Sequence, residues 1–236
     1  MMTPDTLADV SDVGPYFAVA AGPRADAGLF RPLTALYTDP AVLSAYVAEV
    51  GRRLDTVQRR VAASTLHIGI AARLWSVALA TAALTGRVPD LSPDRLWWRT
   101  PDSGPIELWL PEPAALPEAD VADGLYGTVV GANLRPLGEA LRRDCGLSAK
   151  VLPGNAASAL LGAVRVLRDR RPAAPCPPLG PATALLAREP LASSGTHGTD
   201  PLTTYRRSSC CLYYRVRGGG YCGDCVLTGP GRRSGT

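Results

Sequence analysis

The sequence predicts an α+β protein. A mostly helical body over residues 1–190 carries one β-hairpin near residues 96–110, and a small cysteine-rich module follows over residues 191–236. Three observations carry that expectation. Apolar residues recur at helical spacing through much of the first 170 positions, an aromatic-rich stretch is split by a four-residue turn, and four of the six cysteines crowd between Cys210 and Cys225.

From Asp5 to Ala21 the apolar pattern is patchy and broken at Gly14-Pro15, which predicts one short helix and a loop. Asp39 as N-cap and Pro40 at the first helical position then open a long amphipathic helix, with Leu43, Val47, Val50, Leu54, Val57 and Val61 on one stripe. Arg52, Arg53, Arg59 and Arg60 fall off that stripe and read as a solvated face. Ser64 or Thr65 begins a second helix, apolar or small nearly all round and running to Gly86, beyond which Pro89 blocks continuation.

That second helix is long enough to raise the question of a membrane. Arg73 lies at its centre, where insertion would cost about 2.5–3.5 kcal/mol, so the expectation is a core helix in a protein that does not span a membrane. His67 and Arg73 are six residues apart on it, roughly 120° around the axis, and cannot share one narrow face. His67 reads either as a satisfied core histidine or as a contact to substrate or metal centre. Arg73, in so apolar a helix, requires either a buried ion pair or a ligand.

Leu96-Trp97-Trp98-Arg99-Thr100 and Pro105-Ile106-Glu107-Leu108-Trp109-Leu110 flank Pro101-Asp102-Ser103-Gly104, which predicts the hairpin, its tryptophans packing the sheet on helices. Helices are expected over Asp120 to Val130, through Leu134, Leu137 and Leu141 up to Gly146, from about Gly154 to Asp169, and from about Ala182 to Arg188. Arg170 to Pro181 holds five prolines and reads as a linker or surface crossing, with Cys176 a free thiol in it. Cys145 reads as a small buried residue.

A chain of 236 residues can bury roughly 70–75% of its unfolded surface. Its 46% hydrophobic content and mean hydropathy of +0.05 are globular values. A net charge of +4 with a single lysine, Lys150, is a poor nucleic-acid footprint. Met1 to Val13 has neither a basic region nor an apolar one, so no secretory signal is expected. A large core makes a disulfide scaffold unnecessary, and the expected location is the cytoplasm, a peripheral position at the inner face of the membrane included. No Walker loop or HExxH is present, and the Gly-x-Gly-x-x-Gly string at Gly218 to Gly223 lies inside the cysteine segment without the strand and helix that a dinucleotide fingerprint needs.

Cys210, Cys211, Cys222 and Cys225 are spaced Cys-Cys-x10-Cys-x2-Cys, and Gly218-Gly219-Gly220 allows the chain to reverse and bring the two pairs together. Four thiolates suit a structural zinc or an iron–sulfur cluster. Adjacent cysteines do not form a zinc knuckle, since in extended backbone they point to opposite sides; serving one centre demands a local turn or a wider object, and a two-iron cluster is wider than one ion. Arg206, Arg207, Arg215 and Arg217 offset thiolate charge. Two disulfides or a zinc clip remain open at this level.

From about Thr204 to Leu227 the chain, with Ser-Cys-Cys-Leu-Tyr-Tyr-Arg, the glycine run and Cys-Gly-Asp-Cys, resembles the C-terminal signature of ferric siderophore reductases of the FhuF type. A weaker resemblance touches His67-Ile68-Gly69, Ala72-Arg73-Leu74-Trp75 and Gly154-Asn155-Ala156-Ala157-Ser158. It implies a 2Fe-2S cluster on Cys210, Cys211, Cys222 and Cys225, giving one electron to ferric iron in a siderophore and releasing ferrous iron. Without a nucleotide or flavin motif, the electrons must come from a separate donor, a ferredoxin or flavoprotein. Tyr205, Arg206, Tyr213 and Tyr214 are the expected edge of the substrate surface, with His67 and Arg73 as further candidates, and no general acid or base is required. Two alternatives stand beside this: a zinc-stabilised binding protein with a structural four-cysteine site, and a siderophore-biosynthesis-related protein, which the missing ATP-binding motif disfavours.

Overall fold

A computed structural model describes residues 2–117 and 120–228. It is α+β, as expected. The body contains α1 (Pro4–Ser11), β1 (Ala20–Ala21), β2 (Arg31–Pro32), α2 (Ala35–Thr38), α3 (Pro40–Arg53), α4 (Arg59–Thr85), β3 (Trp97–Arg99), β4 (Glu107–Leu110) and α5 (Val121–Leu125). A π-helix (Tyr126–Leu134) runs directly into α6 (Arg135–Cys145), followed by α7 (Val151–Arg170) and α8 (Leu179–Leu186). The C-terminal part adds β5 (Gly195–Thr196), α9 (Pro201–Thr204) and β6 (Arg206–Arg207).

The Asp39 carboxylate accepts from the backbone N–H of Ala41 and Val42, and Pro40 follows it, so α3 begins where the sequence places it. It ends earlier than expected. The stripe through Leu54, Val57 and Val61 stays in helical register, yet the chain leaves the helix at Leu54, takes a left-handed conformation at Asp55, and leaves Val57 fully exposed. The next helix therefore starts at Arg59, five residues before Ser64. It closes at Gly86, whose φ of 69° supplies the left-handed C-cap.

α4 is the axis of the core. Leu66, Ile70, Leu74, Trp75, Val77 and Leu79 are buried on it, and it packs along the length of α7 through Ala157, Leu160, Leu161 and Val164. The helix is long and apolar enough to cross a membrane, but 72% of its most apolar window is buried inside the protein. Arg73 finds no carboxylate. Its guanidinium donates to the carbonyls of Ile106 and Pro15 at 3.1 and 2.9 Å and to that of Ala18, so three backbone acceptors, neither the ion pair nor the ligand expected, tie the N-terminal loop and the hairpin to α4. Burial pulls its pKa down to about 10, which leaves it charged at neutral pH.

The hairpin forms between β3 and β4, with Trp98 opposite Leu108. β1 pairs parallel to β4 and β2 antiparallel to β3, giving a four-stranded sheet in the order β1-β4-β3-β2. Trp98 and Trp109 are buried, and the Trp109 indole N–H donates to the Gly22 carbonyl at 2.8 Å. Trp98 holds the sheet to the body, packing on Tyr46 of α3, whereas Trp109 packs on Phe30 and Trp97 within the sheet.

Candidate metal centre

The cysteine segment is held against α4 and α7 by a buried polar network. The Ser64 hydroxyl donates to the Cys211 carbonyl at 2.7 Å. The Asn155 amide donates to the Ser64 carbonyl and hydroxyl at 3.0 and 3.1 Å, while its own oxygen accepts from Arg207 at 2.7 Å. Arg207 also donates to the carbonyls of Ser209 (2.9 Å) and Val151 (3.3 Å) and is 2% exposed. Gly154 makes room for it, since a Cβ there would lie 2.8 Å from the guanidinium. Like Arg73, Arg207 is a buried cation held by neutral acceptors with no carboxylate partner, and a negative charge nearby would stabilise it further.

Of the thiols beside Arg207, Cys211 is the one shifted toward the thiolate. Cys210, Cys211 and Cys222 all lie within the favourable field of Arg207. Cys211 and Cys222 lie side by side, and their interaction favours the thiolate of Cys211 and raises the pKa of Cys222. Cys225 is near enough to raise both Cys210 and Cys222 by charge, although burial is the main cause at Cys210 and the contact with Cys211 the main cause at Cys222.

Adjacent cysteines need a local turn to serve one centre, and Leu212 provides it at φ 70°, a conformation that costs a residue with a Cβ roughly 1–2 kcal/mol. The Leu212 N–H then donates to Cys210 Sγ at 3.3 Å. The second pair repeats the device: the Leu227 N–H donates to Cys225 Sγ at 3.3 Å, and the Cys225 N–H closes the knuckle on the Cys222 carbonyl. The glycine run turns the chain between the pairs, and a Cβ on Gly219 would lie 2.7 Å from the Tyr213 carbonyl. Each pair has one buried sulfur, Cys211 or Cys225, and one half-buried, Cys210 or Cys222.

None of the six cysteines is in a disulfide. Among the described residues no three His, Cys, Asp or Glu side chains are grouped closely enough to hold a metal ion, and the two cysteine pairs approach each other through Cys211 and Cys222. The donor set fits a 2Fe-2S cluster: four soft thiols, N–H donors on two sulfurs, and at Arg207 a buried Nη1 with no partner. Cys145 is buried at the end of α6 and Cys176 is exposed in the proline-rich crossing.

The other candidate residues fall into three groups. Tyr213 and Tyr214 are exposed beside the cysteines, and the Tyr214 ring stacks on Tyr221 at 6.3 Å. Arg206 is half-buried and donates to the Val226 carbonyl, while Tyr205 is 5% exposed with its hydroxyl on Ser194, though its side of the chain borders a groove of 720 Å³ with Gly223 and Asp224. His67 and Arg73 are inside the body, and the guanidinium of Arg73 is spent on loop carbonyls. A groove of 920 Å³ between α3 and the hairpin has no residue of the cysteine segment in its wall. A groove of 550 Å³ borders that segment at Leu212 and Arg215, with Arg59 and Arg60 in its lining. Sequence reasoning read Ser64 only as a helix start and reached Gly154 and Asn155 only through a weak resemblance, with no role at the cysteine segment; a polar residue beside a glycine in an apolar helix was the available signal.

His67 carries a pH consequence. Neither ring nitrogen has a hydrogen-bond partner, and burial, helped by the charge of Arg207, pulls its pKa down to about 3. An unfolded histidine titrates near 6.5, so below that pH the unfolded chain takes up a proton that the native chain excludes. The contribution is complete above about pH 6.5 and is lost as pH falls toward 3. Urea unfolding between about pH 6 and 5 should show stability dropping by about 1 kcal/mol per pH unit from this group, and His67→Leu should lack that component.

No curated protein matches the chain. Residues 207–227 match the family model described as the FhuF 2Fe-2S C-terminal domain, an interval that spans all four clustered cysteines and Arg207. Over these 21 of its 236 residues the chain is similar to that 2Fe-2S domain, which supports a 2Fe-2S cluster on this segment.

Proposed function

We propose that the protein is a ferric siderophore reductase that transfers one electron to the iron of a siderophore complex and so releases ferrous iron, which oxygen-donor ligands hold far less tightly. The observation that carries this reading is the pair of cysteine pairs inside the matched 2Fe-2S domain, each with one half-buried sulfur toward solvent. When bound there, the cluster supplies single electrons. The chain's own residues then have three tasks. Arg207 and the backbone N–H groups of Leu212 and Leu227 offset charge on the sulfurs. The network through Asn155 and Ser64 fixes the cysteine loop on two core helices, so that little reorganisation accompanies a change of charge. Tyr213, Tyr214 and the groove with Arg59, Arg60 and Arg215 form the face on which the ferric complex docks.

In this reading the electrons come from a ferredoxin or flavoprotein, and the reaction runs in the cytoplasm, at or near the inner face of the membrane. Residues 1–190 act as the helical body and 191–236 as the cluster module. The test is stopped-flow mixing of dithionite-reduced protein with ferric siderophores of several classes. Reoxidation of the visible spectrum, with ferrous iron appearing on a trapping chelator, is expected. A reduced spectrum unchanged by every class sinks the reductase reading and leaves the metal centre standing.

A further inference from the structure

A second cavity lies away from the exposed face of the cysteine segment, between the π-helix, α6 and the first turns of α7. Its volume is 190 Å³. A dry aliphatic cavity of about 150 Å³ takes up benzene, and drug-sized ligands occupy about 300 Å³ or more, so the space suits a single substituted ring and is too small for a ferric siderophore. Its walls are mostly aliphatic, including Val130, Leu134, Leu152, Ala156 and Leu191. One wall is the π-helix, a rare geometry that concentrates at functional sites.

His67 reaches this cavity from α4. It is 1% exposed, and both ring nitrogens lack a partner. A buried polar group left unpaired costs about 1–3 kcal/mol, so something outside the chain is the natural partner. A neutral imidazole offers one donor and one acceptor, which matches a hydroxyl, able to accept from one nitrogen or donate to the other. At the opposite, exposed side stand Arg135, Glu139 and Arg142, spaced to share one face of α6. Among the described residues none of the three is in an ion pair, whereas the adjacent Arg143 is paired with Asp144. Two arginines against one glutamate favour an anionic group at the mouth.

We propose that this cavity binds a small hydroxyaryl carboxylate, with the ring among the aliphatic side chains, the hydroxyl on His67 and the carboxylate at Arg135 and Arg142. The site is separate from the proposed docking face and does not rest on the reductase reading. Holoprotein purified without oxygen is titrated with 4-hydroxybenzoate, benzoate and phenol, followed by calorimetry and saturation-transfer NMR. The hydroxybenzoate should bind about tenfold tighter than either fragment. His67→Phe should erase the preference for hydroxybenzoate over benzoate, and Ala156→Leu should fill the cavity and remove binding of all three. Because those two sites are buried, Arg142→Glu provides a surface variant, which should weaken both carboxylates and leave phenol unchanged. Binding of no probe to the wild type, equal binding by wild type and Arg142→Glu, or a crystal structure grown with hydroxybenzoate that holds only water against His67 would overturn the proposal.

Discussion

Serine at any one of Cys210, Cys211, Cys222 or Cys225 should abolish the visible absorption of the anaerobically purified protein and cut its iron content to a small fraction of the wild type. Serine at Cys145 or Cys176 should leave both unchanged. A hydroxyl at neutral pH supplies neither the charge nor the softness that iron–sulfur ligation needs, and each of the four thiols is in contact with, or in the field of, at least one of the others. Cys176 is exposed at a backbone contact with Ala83, and Cys145 closes α6. Iron and inorganic sulfide assays over the six single variants check the assignment. A full complement of iron in the Cys210 variant, or its loss in the Cys145 or Cys176 variant, would show that the ligands are different.

Arg207→Met should be the most damaging change outside the cysteines. It leaves the Ser209 carbonyl and Asn155 Oδ1 without their donor, weakens Val151, and removes the cation facing three thiols. Breaking a buried charged network of this kind costs about 3–5 kcal/mol, a large part of a typical stability of about 5–15 kcal/mol, and should lower Tm by about 10 °C. Gly154→Ala should act in the same direction with a smaller loss, because its Cβ would press on a guanidinium fixed by its hydrogen bonds. Thermal unfolding followed by circular dichroism, with the cluster spectrum as a second readout, makes the comparison. A Tm within about 2 °C of wild type for Arg207→Met would mean that the network does not hold the loop.

Much of this fold is legible in the sequence where a local signal coincides with its physical cause. Asp39-Pro40 marks the start of α3 because the carboxylate caps free N–H groups and proline sets the first turn. The tryptophan-rich hairpin is legible because its two runs flank a turn-forming tetrapeptide. The end of α3 is not: the apolar stripe continues in register through Val57, and no glycine or proline marks the left-handed turn at Asp55. The two-residue strands β1 and β2 are too short to show a period, and exist because β3 and β4 offer edges.

For the site the division is similar. The four cysteines are legible from spacing, and the turn that adjacency demands appears at Leu212. The partners of the loop are not, because Ser64 and Asn155 acquire their roles only when Cys211 and Arg207 arrive from 147 and 52 residues away. Arg73 was expected to find an acid or a ligand and instead takes backbone carbonyls, an option that sequence composition does not display.

The central claim is that the four cysteines hold two irons and two sulfides. The most direct measurement is iron, sulfide and zinc content of protein purified without oxygen from iron-replete cells, together with its EPR spectrum before and after one-electron reduction. About two irons and two sulfides per chain, a silent oxidised state and a single S = 1/2 signal on reduction are expected. One zinc per chain with no sulfide and no signal would contradict the account.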